Sequence, residues 1–114
     1  MDSFLKYLEN IKYPSEQQKQ KEIWDIEGII KNKSNQSLKF DLRPISKYGN
    51  EIGKQSSFNT KADKMVFEGR NQWVIVDVNE LHQYLKENKL KKVYLQDLIS
   101  KLDWNIILPK IIMQ

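Results

Sequence analysis

The sequence contains no cysteine, one alanine, one histidine and only two arginines, Arg43 and Arg70. Without cysteine the chain can form neither a disulfide, nor a thiolate nucleophile, nor a cysteine-based zinc site. The lack of disulfides fits a reducing compartment, and we expect a cytoplasmic protein. Polar residues interrupt the apolar ones in the N-terminal MDSFLKYLEN, so we expect no signal peptide. No apolar run approaches the roughly 18 residues of a membrane span.

Basic residues exceed acidic ones only slightly, 19 against 15, and the formal net charge is +4. A protein dedicated to neutralising nucleic acid carries a larger excess. Specific readers of duplex bases rely on bidentate arginine, so a chain with seventeen lysines and two arginines is poorly suited to the major groove. Abundant lysine, isoleucine and asparagine beside one alanine indicate an AT-rich coding sequence. We interpret the source as a low-GC bacterium, or a phage or mobile element living in one.

A length of 114 residues with 39% apolar residues predicts a single domain spanning 1–114. Ser3 is placed to cap a first helix that ends before Pro14, because the residue before proline avoids the helical region. The apolar positions of this helix are Phe4, Leu5, Leu8 and Ile11. Ser15 and Gln18 have capping-box spacing, which predicts a short solvated helical turn in the polar stretch 15–22.

From Ile23 onward the apolar residues alternate with a period of two, first in 24–30 and again in 38–42. A hairpin must bring both apolar sets to one face, since a slip of one residue would expose one of them. We therefore predict a first hairpin with a connection centred on Ser34. Its predicted pairs are Ile30 with Leu38, Gly28 with Phe40 and Ile26 with Leu42.

Residues 45–61 show no sustained period, and their glycines, serines and asparagines predict a long loop that is functional or mobile. A second hairpin follows, with 68–72 as its turn and Met65, Phe67, Trp73 and Ile75 on one face. Val66, Val74 and Val76 occupy the opposite face. A strand pair that is apolar on both sides is typical of a sheet centre with helices over one face.

Asp77 and Glu80 have capping-box spacing and predict a third helix, which buries Val78, Leu81, Tyr84 and Leu85. Another helix carries Leu95, Leu98, Ile99 and Leu102, and a last strand carries Trp104, Ile106 and Leu108 before Pro109. The predicted fold is α+β. Two β-hairpins and a C-terminal strand form a mostly antiparallel sheet, with an N-terminal helix and two C-terminal helices packed on it.

Two features carry the catalytic alternatives. His82 could be a general base or a metal ligand, but it lies off the apolar stripe of its helix, and we interpret it as an exposed surface residue. In the predicted register Glu27 faces Asp41, and Asp25 faces Arg43. Lys39 and Arg43 can balance this acidic group, or a Mg²⁺ ion can. The second possibility makes Asp25, Glu27 and Asp41 the candidate metal ligands of a small metal-dependent nuclease.

Aromatic and cationic residues alternate in the long loop, at Tyr48, Lys54, Phe58 and Lys61. Bases stack on rings while lysine neutralises phosphate, so this pattern suits single-stranded nucleic acid. Alternatively, Tyr48 and Phe58 fold back onto the core and hold the loop down.

Four lysines lie close together at the end of the third helix, at Lys86, Lys89, Lys91 and Lys92. Cations near a helix C-terminus complement its dipole, but this number exceeds what capping requires. Together with Arg70 at the tip of the second hairpin, they are predicted to form the rim of a partner-binding face. The leading hypothesis is a small non-enzymatic binding protein without a cofactor, such as an inhibitor, antitoxin or immunity-type protein. Its partner is more readily a protein than a nucleic acid. Single-stranded nucleic-acid binding and the nuclease are the alternatives.

Overall fold

The computed structural model describes residues 2–33, 35–45, 51–54 and 58–110, which form an α+β fold as the sequence predicts. None of the helices in these ranges is long and apolar enough to cross a membrane. In chain order the elements are α1 (Asp2–Leu5), β1 (Leu8–Lys12), α2 (Glu16–Glu22), β2 (Ile26–Ile30), β3 (Leu38–Arg43), β4 (Glu51–Lys54), β5 (Lys64–Glu68), β6 (Gln72–Asp77), α3 (Val78–Asn88), β7 (Lys92–Tyr94), α4 (Leu95–Lys101) and β8 (Asn105–Pro109).

Six strands form the main sheet, in the order β1-β2-β3-β5-β6-β8. Every neighbouring pair is antiparallel except β3 and β5, which run parallel. The sheet is curled, and Tyr7 Oη donates a 2.6 Å hydrogen bond to the carbonyl of Pro109, which joins the start of the first strand to the end of the last. The mostly antiparallel sheet with helices packed on it is therefore confirmed.

The parallel pair explains the long loop. Parallel strands need a crossover connection of about a dozen residues or more, and here residues 44–63 connect β3 to β5. The crossover also contains β4, which pairs with β7 in a separate two-stranded sheet. The prediction of a loop without regular structure over 45–61 is thus wrong for Glu51–Lys54. Residues 46–50 and 55–57 lie outside the described ranges.

The first helix is shorter than predicted and the chain continues as an edge strand. Helix α1 ends at Leu5, and Leu8 pairs with Ile30 of β2. Asn10, with a φ of 53°, lies in an irregularity of the β1 ladder. A Cβ on Gly28 would come within 3.2 Å of the Glu9 carbonyl oxygen, so glycine allows β1 to lie close. Pairing with a distant strand overrides the helical spacing, because helix propensity is a weak determinant.

The first hairpin forms, but its register differs from the predicted one by two residues. The observed pairs are Ile26 with Phe40, Glu27 with Lys39 and Gly28 with Leu38. A shift of two keeps every side chain on its face, because the side-chain period of a strand is two. The predicted pairs are therefore wrong, whereas Ile26, Ile30 and Phe40 share one face as predicted. Trp24 precedes the strand and packs in the core on the opposite face. Ser34, the predicted centre of the connection, lies outside the described residues.

The second hairpin has a tighter turn than predicted. Gly69 N–H donates to the Gln72 carbonyl at 2.8 Å, which closes a two-residue turn at Arg70 and Asn71. Consequently Phe67 pairs with Val74, and Val66 with Ile75. The predicted grouping of Met65 and Phe67 with Trp73 and Ile75 is wrong. Because both faces of this hairpin are buried, a one-residue slip exposes nothing and the pattern cannot fix the register.

Apolar side chains pack on both faces of the sheet. The helix-side core lies between the sheet and α3 and α4; its buried members are Trp24, Phe58, Ala62, Met65, Phe67, Val74, Val76, Val78, Leu81, Leu85, Val93, Leu98 and Leu102. The inner core lies on the opposite face, where the curled strands surround Phe4 of α1; its buried members are Phe4, Leu8, Ile26, Ile30, Phe40, Val66, Trp73, Ile75 and Leu108. Helices over one face of the central hairpin are as predicted.

Each of the three tryptophans has a lysine over its ring, and each of these lysines reaches a carboxylate. Lys64 Nζ lies 3.8 Å from the Trp104 ring centroid and 2.8 Å from Asp77. Lys110 Nζ lies 4.9 Å from the Trp73 ring centroid and 2.8 Å from Glu68. Lys39 Nζ lies 5.1 Å from the Trp24 ring centroid and 3.4 Å from a Glu22 carboxylate oxygen. The tryptophans are thus integrated into ion-pair networks of the fold.

These networks lower the pKa of all three carboxyl groups. Hydrogen bonds from Trp24 Nε1 and from Lys110 are the main causes at Glu22 and Glu68, respectively. Partial burial raises the pKa of Asp77, but hydrogen bonds from Lys64 and from the Glu80 N–H outweigh it. Hydrogen bonds to the charged form favour that form. The three side chains are therefore held as carboxylates.

Candidate partner-binding surface

The small sheet brings together residues that the sequence analysis placed in different parts of the molecule. Lys92 pairs with Lys54, Val93 with Gly53, and Tyr94 with Glu51. Val93 is buried in the helix-side core, and Ile52 packs against the same core. Side chains alternate between the two faces of a strand, so Lys92 and Tyr94 lie on the outer face, where both are exposed. We call this strand pair, with Lys89 and Lys91, which lead into it, the basic ribbon.

The four predicted lysines extend from helix α3 through the following connection to strand β7, and do not share one helix end. Helix α3 ends at Asn88, and Lys89 closes it in the left-handed conformation, with φ 50° and ψ 44°. Lys91 follows the helix and Lys92 begins β7. All four lysines are exposed. Lys92 Nζ is 4.0 Å from a Glu51 carboxylate oxygen, whereas the other three form no ion pair with a carboxylate of the described residues.

Arg70 lies apart from these lysines in the topology. It is exposed in the two-residue turn of the β5–β6 hairpin, which belongs to the main sheet. Its assignment to one binding rim with the lysines stays a prediction.

Phe58, predicted to stack on bases, is a core residue. Its side chain is 1% exposed and meets Phe67 edge-to-face, with ring centroids 6.1 Å apart. The Arg43 guanidinium lies over the ring at 5.8 Å. His82 Nε2 lies 2.6 Å from the Phe58 carbonyl, to which it can only donate, so it ties the crossover to α3. Phe58 therefore offers no ring to a ligand, and His82 is half-buried and not the exposed residue we expected.

The remaining loop residues have separate positions. Lys54 lies in β4, where it faces Lys92 in the ladder. Lys61 is exposed, and its backbone N–H donates to the Glu22 carbonyl at 2.9 Å. Tyr48 lies outside the described residues. The alternative in which Phe58 folds back onto the core is thus correct for that residue.

The candidate metal ligands have protein partners. Asp41 accepts two hydrogen bonds from Arg43, at 2.9 and 3.0 Å. Asp25 accepts from the Leu42 N–H at 2.8 Å. Glu27 accepts from Ser37 Oγ at 2.7 Å and faces Lys39, so its predicted pairing with Asp41 is wrong. In the part of the chain that the structure describes, no group of three or more histidine, aspartate or glutamate residues could hold a metal ion.

Comparison of the chain with models of known protein families, with curated proteins and with solved structures found no match. The functional interpretation therefore depends on the geometry of the surface. Sequence reasoning missed Tyr94, which is 39% exposed, and the Glu51 position opposite it. The strand Lys92–Tyr94 has only three residues, which are too few for a pattern of alternation to indicate a strand.

Proposed function

We propose that this protein is a non-enzymatic binding protein whose partner is another protein. The observation that carries the proposal is the run from Lys86 to Lys92, in which four lysines are exposed within seven residues. The helix dipole accounts for charge at Lys86 and Lys89, where each cation contributes about 0.3–1 kcal/mol. It does not account for Lys91 and Lys92, because the dipole's effect decays within the last turn and both residues follow the helix. A protein with an anionic surface would offset their mutual repulsion.

Three features favour a protein partner over a nucleic acid. The burial of Phe58 removes a stacking ring from the crossover. The Glu51 carboxylate, 4.0 Å from Lys92 Nζ, places a negative charge where a phosphate chain would meet the ribbon. The scarcity of arginine removes the side chain best suited to phosphate and base recognition. An inhibitor, antitoxin or immunity-type protein acts by covering its partner and needs no catalytic group of its own.

Single-stranded nucleic acid is the second candidate, and one observation favours it. Tyr94 presents a partly exposed ring beside Lys92, and stacking on such a ring beside a cation is how single strands are bound without sequence preference. This candidate predicts binding that weakens steeply with salt.

A pull-down from the native host, with and without nuclease treatment, distinguishes the two candidates. We expect one stoichiometric protein in both samples. Loss of every partner after nuclease treatment would contradict the proposal and support nucleic-acid binding.

Once the partner is purified, charge reversal tests the role of the lysines. Charges at an interface rim act mainly on the encounter rate. Reversing Lys89 and Lys92 to glutamate should slow association and flatten its salt dependence, with little change in the dissociation rate. Reversing Lys31 and Lys33, exposed lysines near the β2–β3 turn, changes the net charge equally and should alter association less. Equal effects of the two double variants, in folded protein, would contradict a localised basic surface.

A further inference from the structure

We infer that the outer face of the basic ribbon is the contact surface for an acidic segment of a protein, with Tyr94 as its anchor. The inference rests on the proposed function and identifies the site and the chemistry of the partner. Its starting point is the β4–β7 ladder, which places Lys54 directly opposite Lys92 and Tyr94 directly opposite Glu51.

One of the exposed lysines occupies a position where the fold favours another residue. Lys89 ends α3 with φ 50° and ψ 44°, a left-handed conformation that suits glycine far better than a residue with a Cβ. Lysine in this left-handed conformation costs the fold stability, and the exposed Lys91 and Lys92 extend the basic charge beyond the helix end. The basic charge of this segment therefore fits an anionic partner.

Tyr94 adds apolar contact to this charge. Its side chain is 39% exposed although the preceding Val93 is buried, so the ribbon is fixed to the core while the tyrosine faces outward. Buried tyrosine and tryptophan anchors contribute most of the binding energy in protein interfaces, and surrounding charges steer the encounter. The negative charge of Glu51 near Lys92 makes the surface mixed in sign. A protein segment with acidic residues and an apolar contact matches it better than a uniformly anionic polymer.

The test separates binding from stability, because two substitutions that should weaken binding should leave the fold intact. Lys89→Gly places glycine at a left-handed helix end. Lys92→Thr removes an exposed charge and introduces a good strand former. We expect the melting temperature of each variant to match or exceed that of the parent.

A fluorescent glutamate-rich peptide with a leucine at every fourth position serves as the acidic probe, and oligothymidylate as the nucleic-acid probe. By fluorescence anisotropy at moderate salt, we expect the acidic peptide to bind the parent and the combined Lys89→Gly and Lys92→Thr variant to lose about tenfold in affinity. Tyr94→Ala should also lose affinity, whereas Tyr94→Phe should retain it. The matched control, Lys31→Gly with Lys33→Thr, makes the same charge change near the β2–β3 turn and should bind nearly as the parent does.

Four results would overturn the inference. These are no binding of the acidic peptide to the parent, unchanged binding in the ribbon variants, an equal loss in the matched control, and tighter ribbon-dependent binding of oligothymidylate than of the acidic peptide. The host pull-down identifies where a failure lies. If the ribbon variants still recover the protein partner, the proposed function stands and the site is wrong. If the parent recovers no protein partner, the proposed function itself fails.

Discussion

Asp77 joins the central hairpin to the third helix, and its replacement should show how much each of its two interactions contributes. One carboxylate oxygen accepts from Lys64 Nζ at 2.8 Å, and the other accepts from the Glu80 N–H at 3.0 Å as the helix N-cap. Asparagine is about as good an N-cap as aspartate. Asp77→Asn therefore removes the charge and keeps the cap, whereas Asp77→Ala removes both.

The expected costs follow from burial. The Lys64 side chain is 12% exposed and that of Asp77 27%, so water only partly screens the pair. Loss of a hydrogen bond between charged groups in this setting should cost about 1–2 kcal/mol, and loss of an N-cap costs about 1 kcal/mol more. We therefore expect Asp77→Asn to destabilise by about 1–2 kcal/mol and Asp77→Ala by about 2–3 kcal/mol.

Urea unfolding at pH 7, followed by tryptophan fluorescence, measures both costs, and a double-mutant cycle with Lys64→Met isolates the ion pair. In the Lys64→Met background Asp77→Asn should cost little, because the partner charge is already absent. Asp77→Asn should also lose its effect in acid, where the parent carboxyl is protonated. Equal costs for Asp77→Asn and Asp77→Ala, or a coupling energy near zero, would refute this division of roles.

Three further predictions concern the core, metal binding and pH. Trp73→Ala should cost about 3–5 kcal/mol of unfolding free energy in denaturant. Trp73→Phe should cost less, because the buried indole N–H has no hydrogen-bond partner among the described residues that phenylalanine would remove. An alanine variant that melts like the parent would show that the inner core is misassigned. Millimolar Mg²⁺ or Mn²⁺ should leave the melting temperature unchanged, because the candidate carboxylates already have protein partners. A bound ion at a hundredfold excess over Kd would instead stabilise the fold by about 2.7 kcal/mol. An upward shift that disappears in Asp41→Asn would support the metal site. Lys110 lowers the pKa of Glu68, and a carboxyl whose pKa is lower in the folded state stabilises the fold above its unfolded pKa and loses this effect as the pH falls through the folded pKa. Glu68→Gln should therefore make the urea midpoint depend less on pH in the acid range. An unchanged pH dependence would contradict the assignment.

Local signals predicted local structure well. Ser15 and Gln18 form the capping box that their spacing indicates, and Asp77 caps α3. Such signals depend on groups within about one helical turn, so the sequence contains nearly all the relevant physics. The shared face of Ile26, Ile30 and Phe40 was likewise correct, because burying one face requires this alternation, but Trp24 packs in the opposite core.

The features that depend on distant partners were not predictable from the pattern. Leu8 and Ile11 fit a helix by spacing, yet Leu8 lies in an edge strand because Ile30 is its partner. The parallel pairing of β3 with β5 has no signature in either strand. The basic ribbon combines two strands of four and three residues that are far apart in sequence. The candidate site was therefore half predictable, since its lysines were identified while the element that assembles them was not.

The bond from Tyr7 to Pro109, which spans 102 positions, bears on when the fold can form during synthesis. The inner core needs Phe4 from the first helix and Leu108 from the last strand, so it stays open until β8 has left the ribosome. Until then the apolar faces of the earlier strands remain without their final cover, at a synthesis rate of roughly 5–20 residues per second. Long-range pairing of this kind also slows folding, because the ends of a long chain segment must meet before the contact stabilises anything. A chain truncated before β8 should therefore be unable to close the inner core and should depend on chaperones to stay in solution.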